Sequence, residues 1–227
     1  MPIRIGVNAG SLEKDLLAKY QHPTAEALVE SAMRHVRILE ELNFDQIKIS
    51  LKASDVLLLI EAYRLMADKV DYPLHLGVTE AGNAKHGIVK SAIGIGTLLA
   101  EGIGDTIRVS LTGNPLQEIP VAQQILRSLD LYPKGVEIIS CPTCGRTQIA
   151  LEQLVDAVDQ MVSKVEKPLK LAVMGCVVNG PGEAREADLG IAGGKGEGLI
   201  FRKGEIIKKV PEEQLLSAFQ EELDKLL

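Results

Sequence analysis

Four short apolar runs, at 3–7, 44–51, 74–78 and 106–111, punctuate roughly the first 130 residues, and each gives way to a stretch with helical spacing. After the first run, Leu28, Ala32, Val36 and Leu39 recur at intervals of three and four, the period of an amphipathic helix. Thr24 stands where a cap for that helix belongs, and Ser54 or Asp55 can cap a second helix over 56–70. Regular strand–helix alternation predicts an α/β fold, a parallel sheet covered by helices. The runs are apolar throughout, as buried parallel strands are. Four such units make half of an eight-unit (β/α) barrel, and they equally suit a small doubly wound sheet; the pattern alone leaves both open.

The residues that close each run are polar. Asn8 ends the first, Ser50 and Lys52 the second, Thr79 and Glu80 the third, and Ser110 the fourth. Parallel strands point their carboxyl ends the same way, so Asn8, Lys52, Glu80 and Ser110 are expected on one rim, where α/β folds place their sites. Taken singly, each could as well be a solvated loop residue.

The alternation breaks at Leu131-Tyr132-Pro133-Lys134-Gly135, which predicts a boundary between a first domain at 1–131 and a second at 132–227. The second reads as a smaller α/β domain. Strands are predicted at 136–140 and 169–174 around a helix at 149–165, then strands at 199–202 and 205–210 about a Lys203-Gly204 turn. A closing helix at 212–227 carries Leu215, Leu216, Phe219 and Leu223 on one face. The glycine-rich stretch 192–198 lacks the Gly-Lys-Ser/Thr ending and following helix of a phosphate-binding loop, and is expected to be a mobile turn between strands.

Composition narrows the function classes. The net charge is −6 and there are seven aromatics without a Trp, which argues against a nucleic-acid binder with a basic field or a base-stacking platform. No apolar run is long enough for a membrane span, and the first residues lack the regions of a signal peptide, so a cytoplasmic location is expected. Three cysteines cannot build a disulfide framework.

All three cysteines fall in the second domain, and each follows a predicted strand: Cys141 and Cys144 in Cys141-Pro142-Thr143-Cys144, and Cys176 after Met174-Gly175. Thiolates are soft ligands suited to zinc, copper(I) or iron–sulfur clusters. Tetrahedral zinc wants a fourth Cys or His, and the domain has no His. Glu183, beyond Gly180-Pro181-Gly182, could be turned back toward Cys176 as an oxygen ligand to one iron. Three thiols and a carboxylate favour a cluster, with zinc and inert cysteines as alternatives. The Cys-x-x-Cys pair also occurs in redox dithiols.

These motifs, with Leu76-Gly77-Val78-Thr79-Glu80-Ala81-Gly82, Arg4-Ile5-Gly6-Val7-Asn8, Ser50-Leu51-Lys52-Ala53-Ser54-Asp55 and Arg108-Val109-Ser110, resemble the 4-hydroxy-3-methylbut-2-enyl diphosphate synthases of the non-mevalonate isoprenoid pathway. The resemblance runs through nearly the whole chain. It implies the C-terminal half of a TIM-type (β/α)8 barrel, four βα units, followed by a small iron–sulfur domain. It implies a 4Fe–4S cluster on Cys141, Cys144, Cys176 and Glu183. The implied reaction is reductive ring opening of 2-C-methyl-D-erythritol 2,4-cyclodiphosphate, with electrons from ferredoxin or flavodoxin. Arg4, Lys52 and Arg108 would hold the diphosphate, assisted by Asn8, Ser50 and Ser110. Glu80 would move a proton, Glu183 would be the exchangeable ligand at one iron, and Asn179 would hydrogen-bond the substrate. A homodimer is expected. The first four barrel units of the family have no counterpart, so the chain is expected to be a fragment, or to be completed in trans. Competing readings are a non-catalytic iron–sulfur binding module left by truncation, and a relative of sulfite or nitrite reductases, which would need a fourth thiolate.

Overall fold

Alternation along the strands of the first half divides the sheet into an apolar face and a polar one. The computed structural model describes residues 1–177, 182 and 184–227, and the chain separates into two compact units, Met1–Tyr132 and Pro133–Leu227.

In the first unit, β1 (Ile3–Asn8) pairs in parallel with β2 (Ile47–Lys52), and β3 (His75–Leu76) with β4 (Thr106–Ile107). Among the described residues a single parallel bridge, Ile49 to Leu74, joins the two pairs. Between the strands run α1 (Lys14–Tyr20), α2 (Ala25–Glu41), α3 (Val56–Ala67), α4 (Ala84–Ala100) and, after β4, α5 (Glu118–Arg127). Thr24, Asp55 and Asn83 each accept a backbone N–H of the first turn of α2, α3 and α4, which satisfies donors a helix start leaves open. Ile5, Val7, Ile47, Ile49, Leu51, Leu76 and Val78 pack with Leu28, Ala32, Leu59, Ile95 and Leu98 in one core.

Where β2 and β3 thin to one bridge, a side chain fills the seam. Ile49 N–H donates to Pro73 C=O at 2.9 Å. The two-residue repeat of a parallel ladder would next join Leu51 N–H to His75 C=O. Instead the hydroxyl of Tyr63, fully buried on α3, stands between them, accepting from Leu51 N–H at 3.0 Å and donating to His75 C=O. Burial pushes the Tyr63 phenol up to about 12, so it stays a donor at any physiological pH. Tyr63→Phe leaves a buried donor and a buried acceptor unpaired, at ~1–3 kcal/mol each. Urea unfolding of that variant is expected to show a loss of about 2–6 kcal/mol; a loss under about 0.5 kcal/mol would mean that the strands close and bond directly.

The second unit holds a five-stranded sheet in the order β5 (Val136–Ser140), β6 (Leu169–Met174), β7 (Leu189–Gly193), β8 (Glu197–Arg202), β9 (Glu205–Pro211). The first three are parallel and the last two antiparallel. α6 (Leu151–Val162) and α7 (Leu215–Asp224) pack on one face through Val158, Val162, Leu215, Phe219 and Leu223. The other face is closed by Ala172, Met174, Ala184, Ala187, Ala192 and Phe201.

Three features depart from the sequence reading. β7 was not expected, because Leu-Gly-Ile-Ala-Gly is too small and glycine-rich to read as a strand, yet all five residues are buried. Its glycines are required by packing: a methyl group at Gly190 would lie 2.2 Å from the ring of Phe201, its register partner. The stretch expected as one turn at 192–198 is therefore mostly ladder, with the reversal confined to 194–196. Helix α1 was also not read. Strands expected over 44–51, 74–78 and 106–111 are shorter, because side chains and loops take over their hydrogen bonds. Gly190→Ala forces a buried aromatic ring to move, and such overpacking costs about 1–3 kcal/mol. Thermal unfolding should register it as a fall of several degrees.

Candidate functional site

The polar face of the first unit's sheet carries the candidate site. On β1 the residues turned from the core are Arg4, Gly6 and Asn8; on β2 they are Lys48, Ser50 and Lys52. Register sets Arg4 beside Lys48, Gly6 beside Ser50 and Asn8 beside Lys52. The same parity selects His75 on β3 with Gly77 just beyond it, and Thr106 on β4 with Arg108 and Ser110 past its end.

Two glycines seat two cations. A methyl group at Gly6 would lie 3.8 Å from Cε and 3.9 Å from Nζ of Lys52, so the lysine lies across its neighbouring strand. A methyl at Gly77 would come within 2.5 Å of the Arg108 carbonyl oxygen and 3.1 Å of its Nη2. Arg108 is held there by donating from Nε to Ser110 Oγ at 2.9 Å and from Nη2 to Gly77 C=O at 3.1 Å. Burial draws the Arg108 pKa down, with Arg4 acting the same way and Tyr63 and Glu118 opposing; a guanidinium remains charged regardless. The Ser50 hydroxyl is buried without a well-formed hydrogen bond.

The rim is assembled by the strand exits. Thr79 N–H donates to Ala53 C=O at 3.1 Å, and Thr112 N–H to Gly82 C=O at 2.9 Å, which keeps the loops after β2, β3 and β4 together. Asn8 accepts Gly10 N–H at 2.9 Å and so shapes the exit of β1. Glu80 is exposed, and its backbone is left-handed at φ 52°. Asn8, Lys52, Glu80 and Ser110 thus leave at the same end of the sheet.

Lys48 and His75 escaped the sequence reading, which attended to residues closing each strand. Their signal was strand parity with Ser50 and Arg108. His75 Nδ1 lies 2.8 Å from Thr106 Oγ1. Burial, then Arg108, Arg4 and Lys48, hold its imidazole down at about 4. In the unfolded chain His titrates near 6.5. Between those values the unfolded state binds more protons, so this group lowers stability as pH falls through that window.

In the second unit, Cys141 directly follows β5 and Cys176 lies two residues past the parallel β6. Cys141 Sγ accepts Gly175 N–H at 3.1 Å, and Gln148 N–H donates to Gly175 C=O at 3.2 Å, so the two loops are stitched together. All three thiols are free, with Cys144 exposed and the others half-buried. Thiolates suit a cluster chemically, and backbone N–H donors to sulfur are among the groups that tune one. Yet among the described residues no three His, Cys, Asp or Glu side chains gather closely enough to hold a metal ion. The structure brings the thiols to one end of the sheet but not onto one point. Asn179, Glu183 and the turn expected through Gly180 and Pro181 lie outside the described residues.

No helix among the described residues is long and apolar enough to cross a membrane. A family model described as the GcpE TIM-barrel domain matches residues 1–123, and one described as the GcpE protein C-terminal domain matches 137–225. Curated relatives share high identity. The chain is 63% identical over 227 residues to a protein of Geobacter sulfurreducens, covering 100% of this chain and 64% of the relative. It is 62% identical over 226 residues to one of Clostridium acetobutylicum, covering 100% and 65%. For one of Clostridium perfringens the identity is 65% over 227 residues, covering 100% and 64%. All three bear the name 4-hydroxy-3-methylbut-2-en-1-yl diphosphate synthase (flavodoxin). The chain thus spans about 64% of the length of these relatives.

Proposed function

The chain belongs to the GcpE family, and from that membership we propose that it serves the reductive ring opening of 2-C-methyl-D-erythritol 2,4-cyclodiphosphate to 4-hydroxy-3-methylbut-2-enyl diphosphate. The observation that supports this reading is the polar sheet face that Arg4, Lys52 and Arg108 share with Asn8, Ser50 and Ser110. A diphosphate is met there by an arginine fork and by lysine as a point charge. Hydroxyl and amide groups at Ser50, Ser110 and Asn8 supply neutral hydrogen bonds that fix its orientation. Glu80 is the proton donor at the rim, and Asn179 holds the substrate by a further hydrogen bond.

Cys141, Cys144, Cys176 and Glu183 would hold a 4Fe–4S cluster, which when bound supplies single electrons and one exchangeable iron. The relatives' name points to flavodoxin as the reductant, with ferredoxin the alternative donor. A homodimer in the cytoplasm completes the reading. We also infer that the four βα units are the second half of an eight-unit barrel, completed by further units in cis or in trans. The greater length of the relatives supports this, as do the two outer strands β1 and β4, each with one neighbour among the described residues.

Anaerobic reconstitution with iron and sulfide counting, followed by turnover with reduced flavodoxin, tests the reading. About four irons and four sulfides per chain are expected. Tightly bound zinc without visible absorption would overturn it. Turnover is expected only when the remaining barrel units are supplied.

A further inference from the structure

The polar sheet face contains an imidazole that the proposed reaction does not use, in surroundings of one sign. His75 sits on the third strand, half-buried, with Nδ1 against Thr106 Oγ1 and its own carbonyl held by Tyr63. The charges that reach it are all positive: Arg4 on β1, its register partner Lys48 on β2, and Arg108 just past β4, whose N–H donates to Leu76 C=O at 2.8 Å beside His75. The nearby carboxylates are engaged elsewhere: Asp105 accepts Leu74 N–H at 2.8 Å, and Glu118 accepts Leu111 N–H at 2.9 Å.

A neutral imidazole among three cations stays neutral for as long as they are uncompensated. A bound polyanion supplies the compensation. We propose that His75 is the proton-linked member of this site: an anion seated among Arg4, Lys48, Lys52 and Arg108 draws a proton onto His75, which then joins them as a further charged donor. This rests on the reading of the face as a diphosphate site, and it adds Lys48 and His75 to the residues that the ligand feels.

The physics is reciprocal. If the anion raises the proton affinity of His75, protonated His75 raises the affinity for the anion by the same factor. Depressed as it is by burial and three cations, the group has room to move upward once negative charge arrives. The ligand is thereby held more tightly in acid than the fixed cations alone would hold it. The proton comes from solvent and returns to it on release, so no redox partner is needed.

Imidazole NMR of the full 227-residue chain, titrated from pH 8 to 4.5 with and without saturating inorganic pyrophosphate, tests this. His75→Gln assigns the signal among four histidines. The His75 titration, incomplete at pH 4.5 without ligand, is expected to move up by about two pH units with pyrophosphate, a change that the other three imidazole signals do not share. Affinity measured by calorimetry at pH 5.5 and 7.5 should then differ several-fold more in the native chain than in His75→Gln, a comparison that cancels pyrophosphate's own protonation. If pyrophosphate binds, and Lys52→Ala abolishes that binding, but the His75 titration is unmoved, the proton linkage is wrong and the diphosphate site survives. If pyrophosphate does not bind at all, both fall.

Discussion

Serine in place of Cys141, Cys144 or Cys176 is expected to abolish assembly of the 4Fe–4S cluster, with loss of its visible absorption and of all turnover that depends on it. A serine hydroxyl is a harder donor that gives up its proton far less readily than a thiol, so it does not substitute for thiolate on iron. Cys144 makes the cleanest case. It is exposed, so its replacement leaves the core intact, and a lost chromophore there reports ligation rather than unfolding. Cys141 packs against both cores of the second unit, so its variant needs a check of folding by circular dichroism. Glu183→Ala should behave differently, giving a cluster that forms in part and loses iron readily, because one iron alone loses a ligand. Iron and sulfide counts after anaerobic reconstitution decide the matter. Undiminished incorporation in the Cys144 variant would remove that residue from the ligand set.

Glu80→Gln is expected to cut turnover by ~10²–10⁴-fold, the range a positioned acid contributes to a proton-transfer step. The cluster spectrum should be unchanged, since Glu80 is not among the proposed cluster ligands. Glutamine keeps the size and a hydrogen-bonding end while removing the titratable proton. A KM that rises with kcat intact would instead assign Glu80 to binding alone. The measurement requires a preparation in which the remaining barrel units are present.

Much of this was legible in the chain because apolar periodicity and strand-end chemistry are local properties. The exits at Asn8, Lys52 and Ser110 follow from where apolar runs stop, and the caps at Thr24 and Asp55 from one residue before a helix. Strand β7 was hidden because its identity lies in a partner: Gly190 is there for Phe201, which comes eleven positions later. Tyr63 was hidden for the same reason. On the helix it reads as one more core residue, and only the seam between β2 and β3 gives its hydroxyl a task. Lys48 and His75 needed the register, since parity across strands, not proximity in sequence, puts them beside Arg4 and Arg108. In the second unit the proposed ligand set includes Glu183, which no periodicity positions.

The left-handed backbone at Glu80 sets the demands of folding and of chemistry against each other. Among the described residues, five non-glycine residues have positive φ. Gln21, Asn43 and Asp130 close helices and Lys203 turns a hairpin, whereas Glu80 stands at the sheet rim. A residue with a Cβ bears a steric cost of about 1 kcal/mol or more in such a conformation, and glycine does not. A library of variants ranked by heat resistance alone would therefore favour glycine at this position and discard the carboxylate without any sign of damage. Stability and the proposed proton delivery compete for one residue, and a thermostabilised relative would have to find its gains elsewhere.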